Sequence, residues 1–585
     1  MPRATPADLR LYYFQRPVPV VAGLGPFQSY FPSLEVLFPS LAEATEGSPA
    51  LAAKELAIAV DPSAAVAEVE DILSGARRTT PIWIRKAHLV DPVDAMSGEI
   101  VLPADGGLPA SRGPWQRALR KLNDPYNEAY TDAVAACMVS RLAETGRSPH
   151  FARFYGTMNG RVPEYTYNLT EDMPDVEGEA WFRSGLLSGA FRVVARDPWN
   201  PGTTAELTAP WEDVRRKLDA AADEESLSGS SDSESESESS ESHHGSTPSA
   251  TSSIGDLEEG EPEVSGSAEI RRPRLRLERH SPAGSDYGSG SYTEDDDVEY
   301  TAHLPNFPVQ LTVLERCDGT MDDLMEDEVD EDATEDMRST KEERWTAWMF
   351  QVVAGLTAAQ SAYDLVHNDL HTNNVMWSGT GETHLYYHIT GAQGGDRFYR
   401  VPTYGRIMKI IDFGRATFRP PAAGGGGRMW LPDGYAPGAD AAGQYNCGPY
   451  FTQGQPKVQP NKSFDLCRLA VAMLETLWPE TPAVAEPRRV LTRETGRVQA
   501  ETVSPLWNLL WLWLTDRHGR NVLRSPDGTE RYPNFDLYCA IARDSQNAVP
   551  AQQLTLPLFD AAFRCRRKDI PADVPIYKLG ASSSR

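Results

Sequence analysis

Hydrophobic spacing changes character along this chain, and the changes mark its elements. Pro81-Ile-Trp-Ile-Arg-Lys-Ala-His-Leu-Val90 alternates as a strand does, with Ile82, Ile84 and Lys86 on one face and Trp83 on the other. Tyr126–Ala143 shifts to helical spacing, with Val134, Met138 and Leu142 as an apolar stripe and Glu128 near the start. Phe151–Gly156, Tyr165–Leu169 and Val309–Glu315 read as further strands. The clearest helix is Glu342–Tyr363, where Trp345, Trp348, Met349, Val352, Leu356, Ala359 and Tyr363 recur at three- and four-residue steps. Such a stripe is core. A hairpin follows, His384–His388 with Arg397–Val401, then an apolar run Met408–Ile411 and a buried-looking helix Phe464–Leu477. Pro505–Thr515 and Tyr532–Arg543 are helical in tone.

Between these patterned stretches the composition collapses from about Asp223 to Tyr300, with Ser-Asp-Ser-Glu-Ser-Glu-Ser-Glu-Ser-Ser-Glu-Ser at 231–242. A segment so poor in apolar residues cannot offset its chain entropy by burial and is expected to be disordered. The charge of the chain is concentrated there. From Asp223 to Glu299 stand 21 acidic and 5 basic residues, and from Asp322 to Asp336 another 10 acidic residues and no basic ones. Those stretches carry nearly all of the formal charge of −28, so the rest is close to neutral. Acidity therefore belongs to the tethers and argues against nucleic acid as a partner. His243-His244 lies within the acidic tract without a second ligand pair, and the island Arg271–Arg276 pairs with the flanking acid or serves as a docking patch.

Six scattered cysteines with no Cys-x-x-Cys spacing suit a reducing compartment and supply no zinc framework. The N-terminus lacks a basic head followed by an apolar core, and no apolar run reaches membrane-spanning length. These features lead to the expectation of a soluble, intracellular protein that does not engage membranes.

The chemistry concentrates in Val366-His-Asn-Asp-Leu-His-Thr-Asn-Asn-Val-Met-Trp377 and Met408-Lys-Ile-Ile-Asp-Phe-Gly414. Asp369 and Asn374 stand five apart in a polar segment between apolar runs, and Asp412 ends a strand-like run. Phosphoryl transfer from a nucleotide needs such a set: a carboxylate to orient the acceptor hydroxyl and take its proton, and an amide and second carboxylate to hold a metal ion on the phosphates. Alone each piece is weak; in this order they read as the catalytic loop and metal-binding turn of a protein-kinase-like enzyme. A lysine facing inward from the Pro81–Val90 strand is costly to bury without anions, so Lys86 is expected to meet nucleotide phosphates and a helix carboxylate. Glu128 is the first choice for that carboxylate, with Asp132 one turn along as the reserve. Asp465, near the start of its helix, is suited to accept hydrogen bonds from the catalytic-loop backbone. Upstream of Lys86, where a glycine-rich loop would cover the phosphates, there is only Ser74-Gly75. Ala22–Phe27 has two glycines but reads as a turn before a short helix.

With these residues in view the chain resembles the protein kinases encoded by giant nucleocytoplasmic DNA viruses. Val366–Trp377, Leu385–Tyr387, Arg400–Arg406, Ile407–Thr417, Asp440–Tyr450 and Ser463–Leu469 carry the resemblance, which spans roughly 80–220 and 305–570. It implies an α+β, two-lobed fold with a small β-rich lobe, a larger helical lobe and a long acidic insertion. It also implies ATP and Mg²⁺ as cofactors and Ser/Thr hydroxyls of proteins as substrate, in a monomer located in host cytoplasm or virion. Asp369 would be the base with His371 beside it, Asn374 and Asp412 would hold metal, and Lys86 with Glu128 would steady the phosphates. Leu314 would line the purine pocket, with Glu315 to Cys317 as the hinge. The expected divisions are an N-terminal extension (1–70), small lobe (71–222), acidic insertion (223–300), last small-lobe strand and hinge (301–320), acidic loop (321–340), large lobe (341–575) and tail (576–585). The 38 residues from Asn374 to Asp412 imply an insertion.

The chain departs from the family pattern in several places. His367-Asn368-Asp369 replaces His-Arg-Asp, so the arginine that grips a phosphorylated activation loop is missing, and activity is expected not to depend on phosphorylation there. His371 replaces the usual lysine two residues after the base, and Gly448-Pro449-Tyr450 stands where Ala-Pro-Glu would close the segment. The same loop also resembles those of choline and aminoglycoside kinases, which act on small molecules. A pseudokinase scaffold is the third reading.

Overall fold

In the computed structural model of this chain, the structure describes residues 18–24, 27–28, 31–37, 53–103, 115–170, 172–196, 204–207, 298–326, 335–391, 395–420, 429–436, 441–445, 459–487, 489–494, 497–532 and 536–580. The fold is mixed α and β. Its largest sheet is curled and runs β1 (Val20–Val21), β2 (Glu55–Asp61), β3 (Val66–Asp71), β4 (Arg77–His88), β8 (Glu299–Glu315), β6 (Arg192–Arg196) and β7 (Thr204–Glu206), with β5 (Phe154–Asn168) also paired to β8. β8 is the spine of this sheet. Phe307 to Leu314 are all buried, as befits a strand covered on both faces.

The sheet begins earlier than expected: β2 and all but the last residue of β3 lie within residues 1–70, which the sequence assigned to an extension. It also holds one long strand, β5, where two short ones were expected. Gly156 and Gly160 do not interrupt β5, because pairing to β8 continues from Phe154 to Asn168 across a bulge at Gly156. Tertiary pairing overrides local propensity there. Gly23 lies in the expected turn after β1, ahead of a short helix, Pro32–Leu37, while Gly25 lies outside the described residues. The 223–300 tract lies outside the described residues except for its last few, which already belong to β8. In the expected acidic loop, Met321–Glu326 is helical.

Helices α1 (Gln116–Leu122) and α2 (Glu128–Glu144) follow β4. The Asn127 side chain accepts from Ala129 N and donates to Leu89 O, capping α2 and tying it to the end of β4. Helix α3 (Glu335–Tyr363) carries the aromatic stripe read from the sequence, and all seven of those residues are buried. Gly355 lets it approach closely, since a Cβ there would stand 2.8 Å from His150 Cβ. Two smaller sheets follow. One comprises β9 (Gly319–Thr320), β10 (Val375–Gly379) and β13 (Arg406–Ile410); the other comprises β11 (His384–Thr390), β12 (Arg397–Pro402), β16 (Arg564–Cys565) and β17 (Ile576–Gly580). The expected hairpin is thus half of a larger sheet. Residues 576–580 are not a tail but a strand parallel to β11. Phe350 of α3 packs against Tyr387 and Tyr399 of that sheet and against Phe559 and Phe563. β14 (Val490–Glu494) and β15 (Arg497–Ala500) form a separate hairpin. Helices α4 (Phe464–Leu477), α5 (Pro505–Trp513) and α6 (Asp536–Asp544) complete the helical part. Among the described residues no helix is long and apolar enough to cross a membrane.

His150 is the polar pin between these parts. Its Nδ1 lies 3.0 Å from Met408 O and its Nε2 2.8 Å from the Tyr387 hydroxyl, so the neutral ring donates through Nδ1 and accepts at Nε2. Burial holds its pKa down to about 3. A histidine kept neutral in the fold but free to protonate when unfolded contributes stability above its ordinary pKa of 6.5 and loses it as pH falls toward 3. Unfolding free energy is expected to drop by up to ~1.4 kcal/mol per pH unit below about pH 6 from this group. Denaturant titrations from pH 7 to 4.5 should show that slope reduced in His150→Gln.

Candidate active site

The polar loop after α3 is held from below by one carboxylate. Asp465, fully buried on α4, accepts from His367 N through Oδ2 and from Asn368 N through Oδ1, both at 3.0 Å. Its role is the one the sequence suggested. Burial raises its pKa to about 6 against the pull of His367 and the two amides. His367 then links the loop to the next segment: Nε2 donates to Ile411 O at 2.8 Å, and Asp369 N approaches Nδ1 at 3.3 Å. Backbone bonds complete the seam, with Ile411 N donating to Asn374 O and Val366 exchanging bonds with Thr417.

Asn368 ties the loop to its surroundings through both backbone and side chain. Its backbone is left-handed (φ 66°), a conformation asparagine tolerates. Its amide donates to Val366 O and Arg415 O, and its Oδ1 accepts from the Tyr445 hydroxyl. The side chain joins the loop directly to the segment following Asp412-Phe413-Gly414.

Asp369, His371 and Asn374 come together as expected. Asn374 Nδ2 donates to Asp369 O (2.9 Å) and to His371 Nε2 (3.0 Å), which commits that side of the amide to the loop and leaves Oδ1 as the donor atom for a metal. Burial lowers the His371 pKa, in keeping with a neutral ring that accepts from Asn374. For Asp369, burial pushes upward, but Arg415, His371 and Arg468 together with the Tyr538 hydroxyl outweigh it and hold the carboxyl at about 2. Asp369 is therefore ionised throughout the neutral range.

The expected Lys86–Glu128 pair is not formed. Lys86 is exposed, and the inward cation is its neighbour Arg85. Arg85 Nη1 stands 3.2 Å from Asp132 Oδ1 and Nη2 2.6 Å from Asp412 Oδ1. Asp132, the reserve choice, is buried and also accepts from Phe413 N at 2.7 Å. The physical reason lies in strand phase. Ile82 is buried in the core with Ile84 packed against it, and Arg85, on the alternate face of the strand, reaches Asp132 on α2. The legible signal was apolar-x-apolar-cation as Ile82-Trp83-Ile84-Arg85, one residue earlier than the lysine reading. The Glu128 side chain points instead to the segment after the Asp-Phe-Gly, where it fills the space beside Gly434.

Ser74-Gly75, the stretch upstream of the strand cation where a phosphate-covering loop was sought, lies away from Arg85. In the antiparallel register Val66 lies opposite Pro81, so the β2–β3 turn at 61–66 is the one at the Arg85 end, and Ser74-Gly75 lies at the other. That turn has no glycine. Asp61 Oδ1 organises it by accepting from Ser63 N and Ala64 N, and Ala65 takes the left-handed conformation (φ 51°).

Leu314 and Glu315 end β8, and the chain passes through Cys317 into β9, which pairs with β10 at Trp377 and Met376. The expected hinge residues thus form the connection from the large sheet to the Asp369 loop. Leu314 and Cys317 are buried. Glu315 is tied down by Lys409 Nζ (3.2 Å) and Arg153 N (3.1 Å). Lys409, buried within Met408–Ile411, had no sequence assignment; a lone cation in an apolar strand was the available signal.

Asp412 itself has φ 65°, a strained setting for an aspartate, kept by the bonds to Arg85 and by Phe413 packing beside His367 and Phe151. The next segment is pinned on α1, on α2 and on the turn between them. Asp433 pairs with Lys121 and donates its N–H to Tyr126 O, while Trp430 stacks beside Phe418 and donates to Thr131. The 421–428 and 446–458 parts of that segment lie outside the described residues.

The donor set bears on the expected metal. Among the described residues no cluster of three or more His, Cys, Asp or Glu exists. Mg²⁺ bound with a nucleotide needs only one or two protein oxygens beside the phosphates. Asn374 Oδ1 and Asp412 are the oxygens that would meet that requirement, and Asp412 is paired with Arg85 in this structure. Comparison with protein-family models gives no match, and no curated protein matches the chain.

The Arg85 network also sets stability. Asp132→Ala removes a buried partner of Arg85 and the acceptor of Phe413 N, and should destabilise the protein by about 3 kcal/mol. Lys86→Ala, on the surface, should stay within about 0.5 kcal/mol. Urea unfolding of both variants checks the contrast.

Proposed function

We propose that this chain is a two-lobed, protein-kinase-like phosphotransferase that uses ATP and Mg²⁺ to phosphorylate Ser/Thr hydroxyls of proteins. The observation that carries the reading is the joint presentation of Asp369, Asn374 and Asp412 on two segments stitched by backbone bonds and underpinned by Asp465. Arg85, supplied by the sheet and steadied by Asp132, pairs with Asp412 beside them.

In this reading, the acceptor oxygen forms a bond to the γ-phosphorus as the bond to the β-phosphate oxygen breaks, and the acceptor proton passes to Asp369. Asn374 and Asp412 would hold the metal, whose contribution is to neutralise phosphate charge. Arg85 would take the phosphates that the strand cation was expected to take. Arginine suits this, since its planar fork can hold a phosphate and Asp132 together. The connection Leu314–Cys317 would border the purine, with Lys409 fixing Glu315. A protein kinase of giant-virus type remains the family that the sequence resembles.

Two observations favour the scaffold alternative: the glycine-free 61–66 turn and the direct Arg85–Asp412 ion pair. Activity decides between them. With radiolabelled ATP and Mg²⁺, the protein should label basic or acidic model proteins and leave choline and aminoglycosides unlabelled. Asp369→Asn is expected to lower kcat by about 10²- to 10⁴-fold. Arg85→Ala should raise the KM for ATP by roughly tenfold or more, and Lys86→Ala should leave it unchanged. Tight ATP binding without any transfer would favour the scaffold, and labelling of a small alcohol alone would favour the choline-kinase-like reading.

A further inference from the structure

Asp369 has a second partner that neither the loop nor the proposed reaction requires. Tyr538, buried on α6, donates its hydroxyl proton to Asp369 Oδ1 at 2.7 Å. Behind it stands Arg468, three residues after Asp465 on α4 and therefore on the same helix face. Its Nε donates to the Tyr538 oxygen at 3.3 Å, and its guanidinium lies 5.4 Å from the centre of the Tyr538 ring. Arg468 is 9% exposed and, among the described residues, has no carboxylate within ion-pair distance. A buried cation without a direct counter-ion is expensive unless its field reaches an anion. The carboxylate whose charge acts on it is Asp369, reached through the phenol.

We propose that Tyr538 is a positioning residue for Asp369, its hydroxyl oriented by Arg468 so that it holds Oδ1 and leaves Oδ2 toward the acceptor hydroxyl. This rests on the reading of Asp369 as the base. The phenol cannot stand in for a substrate hydroxyl that comes and goes, because its ring stacks on Phe464 at 5.9 Å as well as on Arg468. His371 does not perform this task, since its Nε2 accepts from Asn374. A direct Arg468–Asp369 pair would draw the carboxylate down toward α4. The interposed hydroxyl instead transmits the charge through two hydrogen bonds and fixes the direction of one oxygen. Helix α4 thus serves the loop twice, holding its backbone through Asp465 and its base through Arg468 and Tyr538.

The deciding variant is Tyr538→Phe, which keeps the ring, the stacking and the cation contact and removes only the hydroxyl. Transfer to a model protein, the KM for ATP and the thermal midpoint are measured together on the full chain. The expected result is a fall in kcat of about 10- to 100-fold with KM for ATP and the midpoint unchanged. Tyr538→Phe in an Asp369→Asn background should cause no further loss. Should Tyr538→Phe fold poorly, Arg468→Met gives the second reading, with the same kcat-only loss expected. Wild-type kcat in Tyr538→Phe overturns the proposal, because a purely packing role predicts that outcome. Full transfer by Asp369→Asn overturns the reading of the base beneath it, and this is seen in the single variant, whatever Tyr538→Phe does.

Discussion

Asp465 is the constraint on which the site depends. A buried carboxylate with both oxygens accepting backbone N–H groups is costly to create, and its pKa near 6 measures how far burial opposes its charge. The return is geometric. Two consecutive amides of an irregular loop are fixed to a helix, so His367 can reach Ile411 and Asn374 can close on Asp369. Remove that carboxylate and the loop has no rigid reference in the helical part.

The opposite wall works by a different device. Arg85, Asp132 and Asp412 join a strand, a helix and the Asp-Phe-Gly turn through one guanidinium. An arginine forms this junction more readily than a lysine, because its fork addresses two carboxylates at fixed angles. The left-handed backbone of Asp412 is held in place by that fork and by Phe413 packed between His367 and Phe151. The two walls meet through backbone bonds such as Ile411 N to Asn374 O and through the side chains of His367 and Asn368, which reach Ile411 O and Arg415 O.

Much of this was legible in the sequence, for identifiable reasons. The α3 stripe, the hairpin at 384–402 and the Asp369, Asn374 and Asp465 contacts follow from periodicity and from residue types with few alternative uses. Arg85 was missed by one residue because strand phase was set by Ile82 and Ile84, whose face turned out to be the core and not the cleft. Glu128 was preferred to Asp132 on helix position alone, and a one-turn difference on a helix is beyond what spacing resolves. The glycine-free 61–66 turn could not be found until the register of β3 against β4 was known. Tyr538 and Lys409 carry no local signal of partnership, since their partners lie 169 and 94 residues away.

β8, the strand that binds β4, β5 and β6, is distant in sequence from each of these neighbours. Arg196 of β6 pairs with Glu299, 103 residues on, and Ile82 of β4 pairs with Glu315, 233 residues on. Pairings of such wide separation must close long stretches of chain before they gain contacts, so the large sheet is expected to set a slow pace for folding.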